Sequence, residues 1–260
     1  MIATKEHPNP AARAGQRRPR RPGWLGAFLC VGLGFLSLNF LVQISRKPTE
    51  LLRFAKLGRV KTPQETWSEY NEDFTRYATD LITADFLAAL VQVESSGDSL
   101  ASPAWTWRWS TSPWGLYGPP STAVGLLQIT KGNFGSARGL CVKEGRVLKE
   151  GAWYDPEACQ SALLHSRLNA SHSIEMTSAF LHSNVRRILA RSPRRVSLRD
   201  MQKLAAVIHL CGPNKGQALV RAKFNADAVG ICGTQPVGSY VRLVMRYRAQ
   251  FSQLAAAGRF

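Results

Sequence analysis

The chemistry of this chain starts from one acid. Glu94 closes the apolar run Phe86-Leu87-Ala88-Ala89-Leu90-Val91-Gln92-Val93. At helical spacing Phe86, Leu90 and Val93 form one row, while Leu87 and Val91 form the adjacent row that Glu94 continues. The carboxyl therefore sits at the end of a buried face. An acid with water removed from one side is disfavoured as an ion and suits delivery of a proton to a leaving oxygen near neutral pH. Position alone favours instead a solvated residue at a helix C-terminus, and the downstream neighbourhood is what changes that balance. Other groups of chemical interest lie downstream: Gln128 within Gly125-Leu126-Leu127-Gln128-Ile129-Thr130, His209 within Ile208-His209-Leu210-Cys211-Gly212-Pro213, and tryptophans 105, 107, 109 and 114. Nucleophile elbows, Walker loops and dinucleotide fingerprints do not occur, so phosphoryl and hydride chemistry find no support.

Helices must position these groups. Thr83 is a candidate N-cap with Asp85 in the first turn, and Ser95-Ser96-Gly97 stops the helix just beyond Glu94. Residues 101–121 read as an irregular insertion with an aromatic surface, rich in Pro and Trp. Further helices are predicted over 176–191, 198–210 and 237–255, the last from Tyr240, Val244, Tyr247 and Phe251 at helical spacing. Trp67, Tyr70, Phe74 and Tyr77 recur in the same way, so residues 45–82 form either a helical stalk or the first helices of the domain. Nothing beyond Thr83 alternates long enough for a large sheet, and the expected class is all-α.

The 260 residues allow one substantial domain with an appendage. The only long apolar run covers 24–44 and carries no charge, enough to cross a hydrocarbon core of roughly 30 Å as a helix. It is read as a single N-terminal transmembrane anchor behind a disordered basic tail at 1–23, with the main domain at 83–260. A cleaved signal peptide is the weaker reading, because no small-residue cleavage site follows the run. Of the net charge of +17, the first 61 residues carry +10 and the remaining 199 carry +7. A basic surface suits nucleic acid, anionic lipid or an acidic polymer alike. Arginines and lysines flank the anchor on both sides, which makes the positive-inside rule nearly a tie. Cys141, Cys159, Cys211 and Cys232 all follow the anchor and allow three pairings, of which Cys141 with Cys159 and Cys211 with Cys232 closes the shortest loops. Two disulfides point to an oxidising compartment. Zinc is the rival for these cysteines, but no pair has C-x-x-C spacing and the five His do not join them, so no metal is expected.

Taken in order, the Glu94-Ser95 pair, the Gly125-Leu126-Leu127-Gln128-Ile129 block and a helix running into Gly212-Pro213 resemble the lytic transglycosylase domain of the soluble lytic transglycosylase type. The resemblance spans about residues 83 to 250. It implies a lysozyme-like helical fold, peptidoglycan glycan strands as substrate, no cofactor, and Glu94 as the one catalytic acid and base. Gln128 then matches a glutamine lining the glycan groove, with Leu127 where the family often has Met. Ser102 lies one position off the place of a serine beside the acid. An uncharged amide at Gln128 would hydrogen-bond sugar hydroxyl or acetamido groups. Trp114, with the three indoles before it, would stack on sugar rings.

Two departures stand out. Glu94 and Gln128 are separated by more residues than is usual in the family, and the four-Trp segment fills the difference. Aligning Gly212-Pro213 puts His209 and Leu210 where the family has Tyr and Asn. What the resemblance implies is cleavage of the N-acetylmuramic acid to N-acetylglucosamine bond with formation of a 1,6-anhydro ring. The expected setting is a bacterial inner membrane with the domain in the periplasm, and nucleic acid is not expected as a partner. A hydrolytic muramidase on the same fold, with Asp98 as a second acid, and a glycan-binding protein without turnover are the alternatives.

Overall fold

A computed structural model describes residues 23–46, 58–103, 105–107, 109–119, 121–152, 154–155, 158–159, 165–190 and 195–258. The tail at 1–22 and the first part of the predicted 45–82 region, at 47–57, lie outside them. The chain divides into two compact units, Met1–Val42 and Gln43–Phe260.

Helix α1 (Trp24–Arg46) forms over the apolar run. Its stretch Trp24–Ser45, within which an 18-residue window has a mean hydropathy of 2.1, is long and apolar enough to cross a membrane. Cys30 within it is a free, exposed thiol.

The second unit is mainly helical. Helix α2 (Pro63–Arg76) starts at a capping box: Thr62 Oγ1 accepts from the Glu65 amide and Glu65 Oε2 accepts from the Thr62 amide, with Pro63 at the first position. Such a cap contributes about 1 kcal/mol. Tyr70 and Phe74 of α2 are buried in the same core as the next helix, so α2 belongs to the domain rather than to a stalk. Helix α3 (Ala84–Ser95) is buried without a break from Phe86 to Gln92 and packs against both α2 and the last helix. Each fully buried Phe or Leu there stabilises the fold by about 1.5 to 3 kcal/mol. The Thr83 side chain does not cap the helix; its hydroxyl bonds Asp85, and Asp85 Oδ1 accepts from the Phe86 amide at 3.0 Å.

After the short α4 (Lys131–Ala137), α5 (Ala170–Leu189) begins six residues before the predicted start at 176. Asn169 caps it by accepting from the His172 amide at 3.1 Å, and the polar Ser173, Glu175, Thr177 and Ser178 on its buried side hide the periodicity. Helix α6 (Leu198–Cys211) is capped by Ser197. Gly212, at φ 80°, turns it directly into α7 (Pro213–Arg221). Helix α8 (Val237–Ala257) completes the domain.

Among the described residues three two-stranded antiparallel hairpins interrupt the helices, so the expectation of an all-helical domain holds only for its bulk. They pair β1 (Thr106–Trp107) with β2 (Tyr117–Gly118), β3 (Leu140–Lys143) with β4 (Arg146–Lys149), and β5 (Ile231–Cys232) with β6 (Gln235–Pro236). The middle hairpin turns on Glu144-Gly145, both at positive φ, which matches the right-handed strand twist. These strands are too short to show alternation in the sequence. Disulfides join Cys141 to Cys159 and Cys211 to Cys232, the sequential pairing that the loop lengths favoured.

Candidate active site

The position of Glu94 follows from how α3 ends. Ser96 at φ 50° and Gly97 at φ 74° turn the chain out of the helix. A Cβ on Gly97 would stand 2.5 Å from Thr66 Oγ1, so both conformation and space require glycine there. The chain before α2 grips this turn: the Lys61 amide donates to the Ser96 carbonyl at 2.7 Å, and Lys61 Nζ donates to the Gly97 carbonyl at 2.8 Å. A cation at a helix C-terminus is favourable. Burial works against the Lys61 charge, but hydrogen bonds with Tyr70 and Glu69 outweigh it and hold the ammonium above its ordinary pKa. Gln92, buried one turn before the exit, donates to the Lys61 carbonyl at 3.0 Å and accepts from Thr66 Oγ1 at 2.8 Å. Ser95, the second member of the Glu-Ser pair, spends its hydroxyl on the Val91 carbonyl at 3.1 Å.

Three helices then meet at one carboxyl group. Tyr240, in the first turn of α8, donates its hydroxyl to Glu94 Oε1 at 2.5 Å. His209, in the last turn of α6, places Nε2 3.5 Å from the same oxygen. The Glu94 side chain keeps 16% of its exposure and that of His209 keeps 9%, so the cluster lies at the rim of the core rather than inside it. Burial, and after it the charge and hydrogen bond of Glu94, push the Tyr240 hydroxyl well above its ordinary pKa. Tyr240 therefore remains a donor at any working pH. Both of these partners lie on Oε1 of the carboxyl group.

A shallow crevice runs from His209 along α4 and α5, walled by Ile129, Asn133, Ala137, Met176, Thr177 and Phe180. Ile129 ends the Gly-Leu-Leu-Gln-Ile block, which is a tight turn closed by a bridge between Val124 and Ile129. Gly125 sits at φ 77°, where a Cβ would be 2.4 Å from the Arg167 carbonyl oxygen. Gln128 sits at φ 48° and donates Nε2 to the carbonyls of Ala101 and Gly125, both at 2.8 Å. Its amide nitrogen is thus occupied in clamping the loop. Arg167 holds the other side, donating to the carbonyls of Thr122 and Ile129 at 2.8 and 3.0 Å.

Of the residues singled out in the sequence, Glu94 and His209 meet, and the crevice links His209 to the turn that carries Gln128. Leu127 is fully buried and anchors that turn from inside, so it presents no surface to a groove. Ser102 is half-buried and follows Ala101 on the loop that Gln128 clamps. Trp114 is half-buried in a short 3-10 turn, Pro113–Gly115. Asp98, the alternative second acid, accepts from the Leu100 amide at 2.9 Å through Oδ1, and Asp85, at the other end of α3, accepts from Arg248 Nε at 3.1 Å. Among the described residues no group of three or more His, Cys, Asp and Glu side chains could hold a metal ion.

Tyr240 is the site residue that sequence reasoning passes over, since its place in a helical stripe marks it as core. A buried tyrosine must nevertheless give its hydroxyl a partner, and Glu94 is an acid at the end of a buried face; that need is the signal available. A second buried pair, His165 Nε2 with Glu175 Oε2 at 3.1 Å, also escapes the sequence. Glu175 Oε1 accepts from the Val142 amide at 3.1 Å, which ties β3 to α5. No protein-family model, curated protein or solved structure matches the chain.

Proposed function

We propose that the chain is a membrane-anchored lytic transglycosylase that cleaves peptidoglycan, built on a lysozyme-like domain with Glu94 as general acid and base. The observation that carries this reading is the convergence of Tyr240 and His209 on one oxygen of a single carboxyl group at the end of a buried helix. The order of Glu94-Ser95, the Gly125 to Ile129 turn and Gly212-Pro213 along the chain supports it further.

The reaction uses one carboxyl group twice. Glu94 Oε2 gives its proton to the oxygen between N-acetylmuramic acid and N-acetylglucosamine, and the bond from that oxygen to the muramyl C1 breaks. The carboxylate so formed keeps the Tyr240 hydrogen bond, which stabilises the new charge. It then takes the proton of the muramyl C6 hydroxyl as that oxygen bonds C1, closing the 1,6-anhydro ring and restoring the acid. A hydrolase would need a second carboxylate or a placed water, and the engagement of Asp85 and Asp98 elsewhere weighs against it. The apolar α1 serves as the anchor, and the two disulfides favour a periplasmic placement of the domain.

The deciding experiment is incubation of the full chain in detergent with peptidoglycan sacculi, followed by mass spectrometry of the released sugars. Anhydromuropeptides from the parent and none from Glu94→Gln are the expected result. Reducing-end products would make the protein a hydrolase. A second reading, glycan binding without turnover, is motivated by His209 and Leu210 standing where the family has Tyr and Asn. Cosedimentation with sacculi and no released products from either form would establish it.

A further inference from the structure

We propose that the Cys211–Cys232 disulfide is a positioning element of the Glu94 site, and that it makes the site sensitive to reduction; this rests on the catalytic reading of Glu94 above. Cys211 is the last residue of α6, two positions after His209. Cys232 lies in β5, and the β5–β6 hairpin runs directly into α8, whose first turn carries Tyr240. One covalent bond therefore buckles together the ends of the two helices that supply both partners of Glu94 Oε1. The loop it closes has its own ties to the same place. The Val237 amide donates to the Gly230 carbonyl at 3.0 Å, Lys215 Nζ donates to the Val229 carbonyl at 3.3 Å, and Arg242 of α8 pairs with Asp227 through both carboxylate oxygens.

The two disulfides differ in setting. Cys159 of the other bridge is buried, while Cys141 is partly accessible and belongs to the β3–β4 hairpin, which packs on α5 rather than on the helices at Glu94. Cys211 and Cys232 are both partly accessible, and Ile231, Gly233 and Thr234 beside Cys232 are exposed. With both of its cysteines partly accessible, against one in the other bridge, this disulfide is the one an external dithiol is expected to reach first: its thiolate attacks one sulfur, and the second thiolate releases the mixed disulfide. Two protein thiols and one oxidised dithiol result, with both electrons and both protons supplied by the reductant. The core of α3, α5 and α6 is filled by fully buried side chains such as Phe86, Leu87, Leu181 and Leu204, so the reduced chain is expected to stay folded while the placements of His209 and Tyr240 loosen.

The test uses the full chain in detergent in three forms: the parent, Cys211→Ala with Cys232→Ala, and Cys141→Ala with Cys159→Ala. At a temperature well below all three melting points, the Cys211/Cys232 form is expected to lose about tenfold in kcat on sacculi with KM within about twofold, as a misplaced catalytic partner would cause. The Cys141/Cys159 form should keep its kcat. In a Tyr240→Phe background the Cys211/Cys232 change should cost much less, because the two act on one oxygen. Equal losses in the two cysteine forms, or additive losses with Tyr240→Phe, would overturn the proposal. Amide hydrogen exchange separates its failure from failure of the catalytic reading. If the parent releases no products, faster exchange at the last turn of α6 and the first turn of α8 on reduction, with α3 unchanged, still supports positioning, and unchanged exchange overturns it.

Discussion

Glu94 and Trp109 lie fifteen residues apart in the chain and in opposite physical settings. Around Glu94, three helices, a gripped helix end and a disulfide converge, and Oε1 is placed by side chains that are themselves held by helices packed in the core. Around Trp109, two residue pairs make up the whole β1–β2 hairpin, and the indole itself is fully exposed. The rings of Trp105 and Trp107 rest on Tyr117, with centroids 5.4 and 4.7 Å away, so these two indoles pack within the aromatic segment. The contrast separates geometry that is over-determined, where single atoms matter, from surface that is only locally held.

The sharpest way to break this contrast is at the acid. Glu94→Gln keeps shape and hydrogen-bonding capacity but cannot give up a proton, so turnover of sacculi should fall by about 10³-fold or more with little change in melting temperature. Retained turnover would show that another group carries the proton. Gly125→Ala tests the turn instead. A Cβ at φ 77° and 2.4 Å from the Arg167 carbonyl is both strained and obstructed, and a loss of about 2 to 4 kcal/mol is expected in denaturant unfolding. Next comes Tyr240→Phe, which removes the donor to Glu94 Oε1 and leaves the ring in the core. Loss of a hydrogen bond to a charged acceptor corresponds to about 1.5 to 3 kcal/mol, read as a fall of about 10- to 100-fold in kcat. An unchanged kcat would reduce Tyr240 to a packing residue.

The same contrast explains what the sequence made legible. The α3 and α8 stripes, the helix stop after Ser95, the long apolar helix α1 and the cysteine pairing follow from spacing and chain length, which are local quantities. Tyr240 and Glu94 are 146 residues apart, and nothing local announces that contact. Gln128 shows another limit. An amide beside a glycine turn reads as a ligand-facing group, yet its nitrogen serves the backbone of Ala101 and Gly125, because a turn with Gln128 at positive φ needs its own carbonyls satisfied. Likewise Leu127 reads as part of a motif, and its role is to fill the core beneath it. The early start of α5 was hidden because its buried face near Glu175 is polar, so periodicity in hydrophobicity fails where burial is shared with hydrogen bonds.

The smallest expected effect sharpens the comparison from the exposed side. Trp109 covers nothing within the fold, so Trp109→Ala should change unfolding free energy by no more than about 0.5 kcal/mol. An indole left in water has only a ligand to stack on, and if that ligand is the glycan, the substitution should weaken cosedimentation with sacculi about three- to tenfold, for roughly 0.5 to 1.5 kcal/mol of stacking, while kcat at saturating sacculi stays the same. A change in kcat would mean that the aromatic segment reaches the Glu94 corner and that the two regions act as one. Unchanged binding and unchanged kcat together would leave the segment outside the glycan groove, with its aromatic content explained by the self-packing of Trp105 and Trp107 on Tyr117.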